Sequence, residues 1–150
     1  MKTVINRCYG GFGVSPLALK ELVKRGAACI KQMTPKYYYG GEDENDKMKD
    51  RWEESWEDDF ADYKDIGDGF LAHPSGFNVF KDGILYDIED RHTPSLRGDV
   101  DLVKVVEFLG DKSFGSCAKL KIVEIPDGIE WEIDEYDGME QIREVHRSWC

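Results

Sequence analysis

The sequence predicts an α+β fold, a small antiparallel sheet with hairpins packed against two to four short helices. Three observations predict it. Asp-Gly dipeptides at Asp82-Gly83 and Asp127-Gly128 separate β-prone runs, as a two-residue type I′ turn requires. Short runs with apolar residues at helical spacing begin at capping residues and stop at glycine. No regular alternation of strand and helix is present, so a parallel βαβ sheet is not expected. At 150 residues the chain reads as one domain.

Lys2 to Arg7 alternates and reads as a strand. Gly10-Gly11-Phe12-Gly13 and then Ser15-Pro16 follow, a helix-opening signal with serine as the cap and proline in the first turn. The helix covers Pro16 to Lys24, with Leu19, Leu22 and Val23 on one face and Gly26 just past its end. From Tyr37 to Asp68 an acidic, aromatic insertion is expected, in which Trp52, Trp56, Phe60 and Tyr63 would form one stripe if the segment is helical. The stretch Phe77 to Tyr86 reads as a hairpin around Asp82-Gly83. A helix over Val100 to Leu109 has Asp99 as its cap and Gly110 as its stop. Leu120 to Ile125 reads as a strand broken by Pro126-Asp127-Gly128. A further strand carries Ile129, Trp131 and Ile133 inward and Glu130, Glu132 and Asp134 outward. Asp137 with Glu140 three residues on resembles a capping box, which predicts a last helix over Met139 to Trp149.

The net charge of −11 is unevenly spread. Thirteen acidic and 4 basic residues lie between Glu42 and Asp68, a local balance of −9, and the remainder holds 18 acidic and 16 basic residues. A basic pocket elsewhere is compatible with this distribution, whereas long nucleic acid is not an expected partner. No apolar run approaches the length of a membrane helix and no signal peptide is recognisable, so a cytosolic protein without membrane contact is expected. Cys8, Cys29, Cys117 and Cys150 are scattered without a C-x-x-C pair, and His73, His92 and His146 are far apart in sequence. Neither a metal centre nor a disulfide framework is expected.

Two groups carry candidate chemistry. The glycine loop before a helix could hold a phosphate, but its third glycine position is Pro16 and no acidic ribose partner follows. As a dinucleotide fingerprint it is weak, and the simpler reading is a tight turn. In the expected last helix, Met139, Ile142, Val145, His146 and Trp149 form an inward arc bordered by Arg143 and Arg147. Two guanidiniums one turn apart can bind a pyrophosphate. Equally, they can pair with Glu140 and Glu144 as ordinary surface ion pairs. No Ser-His-Asp grouping, paired-histidine motif or P-loop lysine is evident, and no catalytic residue or cofactor is expected.

Asn6 to Gly13, Asp101 to Gly110, Ala118 to Asp127, Tyr136-Asp137-Gly138 and His146-Arg147-Ser148-Trp149, in that order, resemble the type 1 Thoeris anti-defence family. These are phage proteins that sequester the cyclic ADP-ribose signals of bacterial TIR-domain immune enzymes, and some members also hold cyclic oligonucleotides. The resemblance implies a non-enzymatic sponge in the cytoplasm of the bacterial host, blocking Thoeris or CBASS signalling. It implies that Arg143 and Arg147 take the pyrophosphate and that residues near Phe114 and Cys117 flank the adenine. Arg7 and Phe12 would lie near a subunit interface. Ligands would be cyclic ADP-ribose isomers and cyclic di- or trinucleotides, held by a homo-oligomer, a dimer or a hexamer. The chain departs from the family in its Tyr37 to Asp68 insertion and in Pro94 to Gly98 before the middle helix. An alternative reading makes it an acidic, DNA-mimicking inhibitor of a host defence enzyme.

Overall fold

The computed structural model describes residues 1–33, 62–74, 76, 78–89 and 94–145. Among them the fold is α+β. Strand β1 (Lys2–Asn6) pairs antiparallel with β7 (Leu120–Glu124), from Lys2 opposite Glu124 to Asn6 opposite Leu120. Between them in sequence comes a five-stranded antiparallel sheet in the order β2-β6-β5-β4-β3. Its strands are β2 (Ile30–Met33), β3 (Lys64–Gly67), β4 (Phe70–Ala72), β5 (Val79–Lys81) and β6 (Ile84–Ile88). The β5–β6 turn is the expected one, with Asp82 at φ 51° and Gly83 at φ 82°, the two left-handed residues of a type I′ turn.

Helix α1 (Pro16–Arg25) has the predicted ends. Ser15 Oγ accepts from the Ala18 amide at 3.1 Å, and Gly26 takes φ 67° at the C-cap. Ser15 also donates to the Lys112 carbonyl at 2.6 Å, tying the cap to the opposite loop. Replacing Ser15 with alanine removes both bonds and is expected to lower stability by about 1 kcal/mol, read as a shift of the urea midpoint. Helix α2 (Pro94–Arg97) is a single turn. Helix α3 (Val100–Leu109) begins at Asp99, whose carboxylate accepts from the Asp101 and Leu102 amides, and ends at Gly110 in a 3-10 turn, Gly110–Ser113.

Apolar periodicity decides the packing. Ala18, Leu19 and Leu22 of α1 and Leu102, Val103, Val105 and Val106 of α3 are buried. α1 lies on β2, β5 and β6 and against α3, which in turn packs on β1 and β7. The core joins Val4, Leu19, Leu22, Phe70, Val79 and Leu102. Cys29 is fully buried within it, and burial pushes its thiol up to about 12, so it is a packing residue. Among the described residues no helix is long and apolar enough to cross a membrane.

Four expectations are corrected. The expected last helix is a strand over its first part: β9 (Met139–Glu144) forms a hairpin with β8 (Trp131–Tyr136), Tyr136 opposite Met139. Asp137 (φ 52°) and Gly138 (φ 87°) are its type I′ turn and not a helix cap, and cross-strand pairing overrides the helical spacing of Met139, Ile142 and Val145. His146, Arg147 and Trp149 lie outside the described residues. Asp127-Gly128 makes no hairpin, because β7 takes β1 as its partner and β8 takes β9. The expected alternation is also absent: β8 starts at Trp131, leaving Ile129 outside it, and Trp131, Glu132, Ile133 and Asp134 are all half-buried. Finally, Tyr63 is not on a helix. It is buried, edge-on to His73 at 5.0 Å, and leads into β3, so the end of the acidic segment is part of the sheet. Trp52, Trp56 and Phe60 lie outside the described residues.

Candidate functional site

The site is assembled at the end of β1. Asn6 is fully buried, and its side-chain amide makes four hydrogen bonds. Nδ2 donates to the carbonyls of Cys8 and Gly138, both at 2.7 Å. Oδ1 accepts from the Lys119 amide at 2.9 Å and the Cys8 amide at 3.3 Å. One side chain thus uses its full donor capacity to join β1, the glycine loop, the approach to β7 and the tip of the β8–β9 hairpin.

The glycines serve close backbone contact. A Cβ on Gly138 would stand 2.7 Å from the Gly10 nitrogen and closer still to that of Gly11. A Cβ on Gly115 would stand 2.8 Å from the Gly13 carbonyl carbon, and the Gly115 amide donates to the Gly13 oxygen at 3.0 Å. The Gly10 amide donates to the Asp137 carbonyl at 3.3 Å. The loop is therefore covered by protein backbone on two sides. The Gly10 amide, bonded to the hairpin tip, is not held out as it would be in a phosphate cradle.

What the loop frames instead is a cleft of about 40 Å³, lined by Gly10 to Val14, Asp87, Ile88 and Gly115 to Ala118. Phe12 and Cys117 both line it. Phe114 stands beside it, bridged through its backbone to Val14. Asp87 is part of this wall, and its Oδ1 accepts the Ile88 amide at 2.7 Å.

Of the arginines expected at the ligand, neither Arg7 nor Arg143 lines this cleft. Arg7 reaches the other way, donating to the Glu140 carbonyl at 2.8 Å. Arg143 is exposed on β9, on the face opposite to Glu140, with its guanidinium on the Glu132 carboxylate across the strand. That hydrogen bond and the charge of Glu132, with that of Asp134 behind it, hold the Arg143 pKa above its ordinary value. Arg143 is thus paired with Glu132, the residue opposite it in the hairpin register, not with the helical neighbours Glu140 or Glu144. Arg147 lies outside the described residues.

Residues that sequence reasoning passed over are the central ones. Arg97 and Glu140 are each 1 % exposed and form a two-pronged pair, both N–H···O distances being 2.8 Å. Arg97 also donates to the Val4 carbonyl at 3.2 Å, and its Cζ sits 3.5 Å over the Phe12 ring. Glu140 Oε1 accepts the Asn6 amide at 2.8 Å. The available signal for Asn6 was a polar residue closing an apolar strand; for Arg97 and Glu140 no local signal exists. Comparison with family models, with curated proteins and with solved structures gives no match to this chain.

Proposed function

We propose that this chain captures a cyclic ADP-ribose-type nucleotide without turning it over, acting as a sponge for an immune signal in the cytoplasm of a phage-infected bacterium. The observation that carries the reading is the bonding of Asn6. Its four hydrogen bonds gather three of the sequence blocks on which the resemblance rests, Asn6 to Gly13, Ala118 to Asp127 and Tyr136 to Gly138, around the glycine loop, and the first two contribute lining to the cleft. Blocks scattered along the chain that meet at one place are what a shared binding site would retain.

The chemistry of the cleft favours the nucleoside end of such a ligand. Val14, Ile88 and Ala118 offer apolar wall for a purine edge. Pockets that enclose a whole ligand of this size hold roughly 300–1,000 Å³. A cleft of about 40 Å³ takes only an edge, and in this reading a second copy of the chain, which the resemblance implies, supplies further wall. The pyrophosphate falls to Arg143 and Arg147, and to reach it Arg143 exchanges the Glu132 carboxylate for phosphate oxygens.

Calorimetry with cyclic ADP-ribose isomers tests the proposal. Arg143→Ala and Arg147→Ala are each expected to weaken binding at least tenfold, about 1.4 kcal/mol. Glu132→Gln, which removes the competing carboxylate, is expected to tighten it. Undiminished binding in both alanine variants would remove the arginine assignment. Ligand recovered intact after denaturing the complex indicates sequestration, and a cleaved product would make the protein an enzyme.

A further inference from the structure

The Arg97–Glu140 pair is the least expected feature of the interior, since stability alone gives little reason for it. Burying two charges forfeits their hydration, and apolar side chains of similar volume commonly stabilise a core as well or better. What the pair supplies is geometry. The planar guanidinium meets both carboxylate oxygens at 2.8 Å, so the two side chains share one plane. A third contact to the Val4 carbonyl fixes that plane against β1. Phe12 lies under the guanidinium with Cζ 3.5 Å from its centroid, and the same residue is part of the cleft's lining. Glu140 in turn holds the Asn6 amide, while its strand carries Gly138, whose turn covers Gly10 and Gly11.

We infer that Arg97 is a positioning residue for the cleft: through its pairing with Glu140 and its stacking on Phe12 it holds the aromatic wall and the glycine loop in the conformation that accepts a ligand. This inference rests on the proposed capture of a nucleotide at the cleft. A cation over the face of a ring restricts the ring to one orientation, because displacement loses both the electrostatic attraction and the contact. An apolar residue at position 97 would fill the space and leave the ring free to tilt.

The test is the double variant R97Q/E140Q, in which the amide oxygen of the new side chain at 140 still accepts the Asn6 amide while both charges are gone. It is expected to unfold cooperatively yet bind cyclic ADP-ribose at least tenfold more weakly than the native chain. Amide exchange at Gly10 and Gly115, whose hydrogen bonds span the loop, is expected to speed up at least tenfold. Phe12→Leu supplies the decisive control. If Arg97 acts through the ring, F12L/R97Q/E140Q binds no more weakly than F12L alone, whereas a general loosening of the core multiplies the two losses. Binding of R97Q/E140Q within twofold of native, or multiplied losses in the triple variant, would overturn the inference. Should R97Q/E140Q not fold, R97K, which keeps the charge without the planar fork, carries the same measurements with the same expectations. If the native chain takes up no cyclic ADP-ribose, the capture reading falls by itself. Exchange then decides for Arg97, with unchanged rates at Gly10 and Gly115 refuting it and faster rates supporting it.

Discussion

Arg97→Met alone is expected to destabilise the protein by about 3–5 kcal/mol, the range for breaking a buried ion pair from one side. The large value comes from what is left behind. Glu140, 1 % exposed, keeps a carboxylate inside the protein with its two 2.8 Å partners from Arg97 removed. The Val4 carbonyl and the Phe12 ring lose their contacts as well. A urea titration followed by tryptophan fluorescence measures the loss. An exposed pair gives the contrast: Lys2 with Glu107 at 2.8 Å has both side chains about half in solvent, and Lys2→Met there is expected to change stability by no more than about 0–1 kcal/mol. Equal losses at the two sites would mean that the interior pair is not desolvated as its burial indicates.

Gly138→Ala is expected to be nearly as damaging, about 2–5 kcal/mol, for a wholly different reason. At φ 87° an alanine is strained by roughly 1–2 kcal/mol before any contact is counted. Its Cβ would also stand 2.7 Å from the Gly10 nitrogen and 2.9 Å from the Gly10 carbonyl carbon, both main-chain atoms that no side-chain rotation can clear. Forced displacement in a packed region adds about 1–3 kcal/mol. Gly128→Ala separates the two effects, because Gly128 has a similar φ of 82° and nothing within 4 Å of the added carbon. It is expected to lose the strain alone. If the two variants are equally stable by thermal denaturation, the hairpin tip does not press on the glycine loop.

Signals that reside within a few residues were readable. Ser15 and Gly26 bound α1, Asp99 and Gly110 bound α3, and Asp82-Gly83 turns β5 into β6, each for the stereochemical reason that made it conspicuous. The same dipeptide also shows the limit. Asp137-Gly138 makes a hairpin that the helical spacing of Met139, Ile142 and Val145 concealed, and Asp127-Gly128 makes none, because β7 leaves to join β1. A two-residue turn becomes a hairpin only when the flanking runs choose each other, a decision made by the whole sheet. The site was less readable still. Phe12 and Cys117 were singled out and do share the cleft, yet what holds them is Asn6 bonded 132 residues away to Gly138 and Arg97 bonded 43 residues away to Glu140. Nothing local distinguishes a glutamate that will be buried under an arginine from one that will face water.

The pairing of β1 with β7 has a consequence for how the chain is made. Val4 and Ile5 leave the ribosome well before the strand that pairs with theirs, which is completed only at Glu124. At about 5–20 residues per second that interval is roughly 6–24 s. During it an apolar strand waits with both edges open and most of the core unable to close over it. The first of these strands is therefore covered late, and the cleft exists only once Gly115 to Ala118 have come to lie beside the glycine loop.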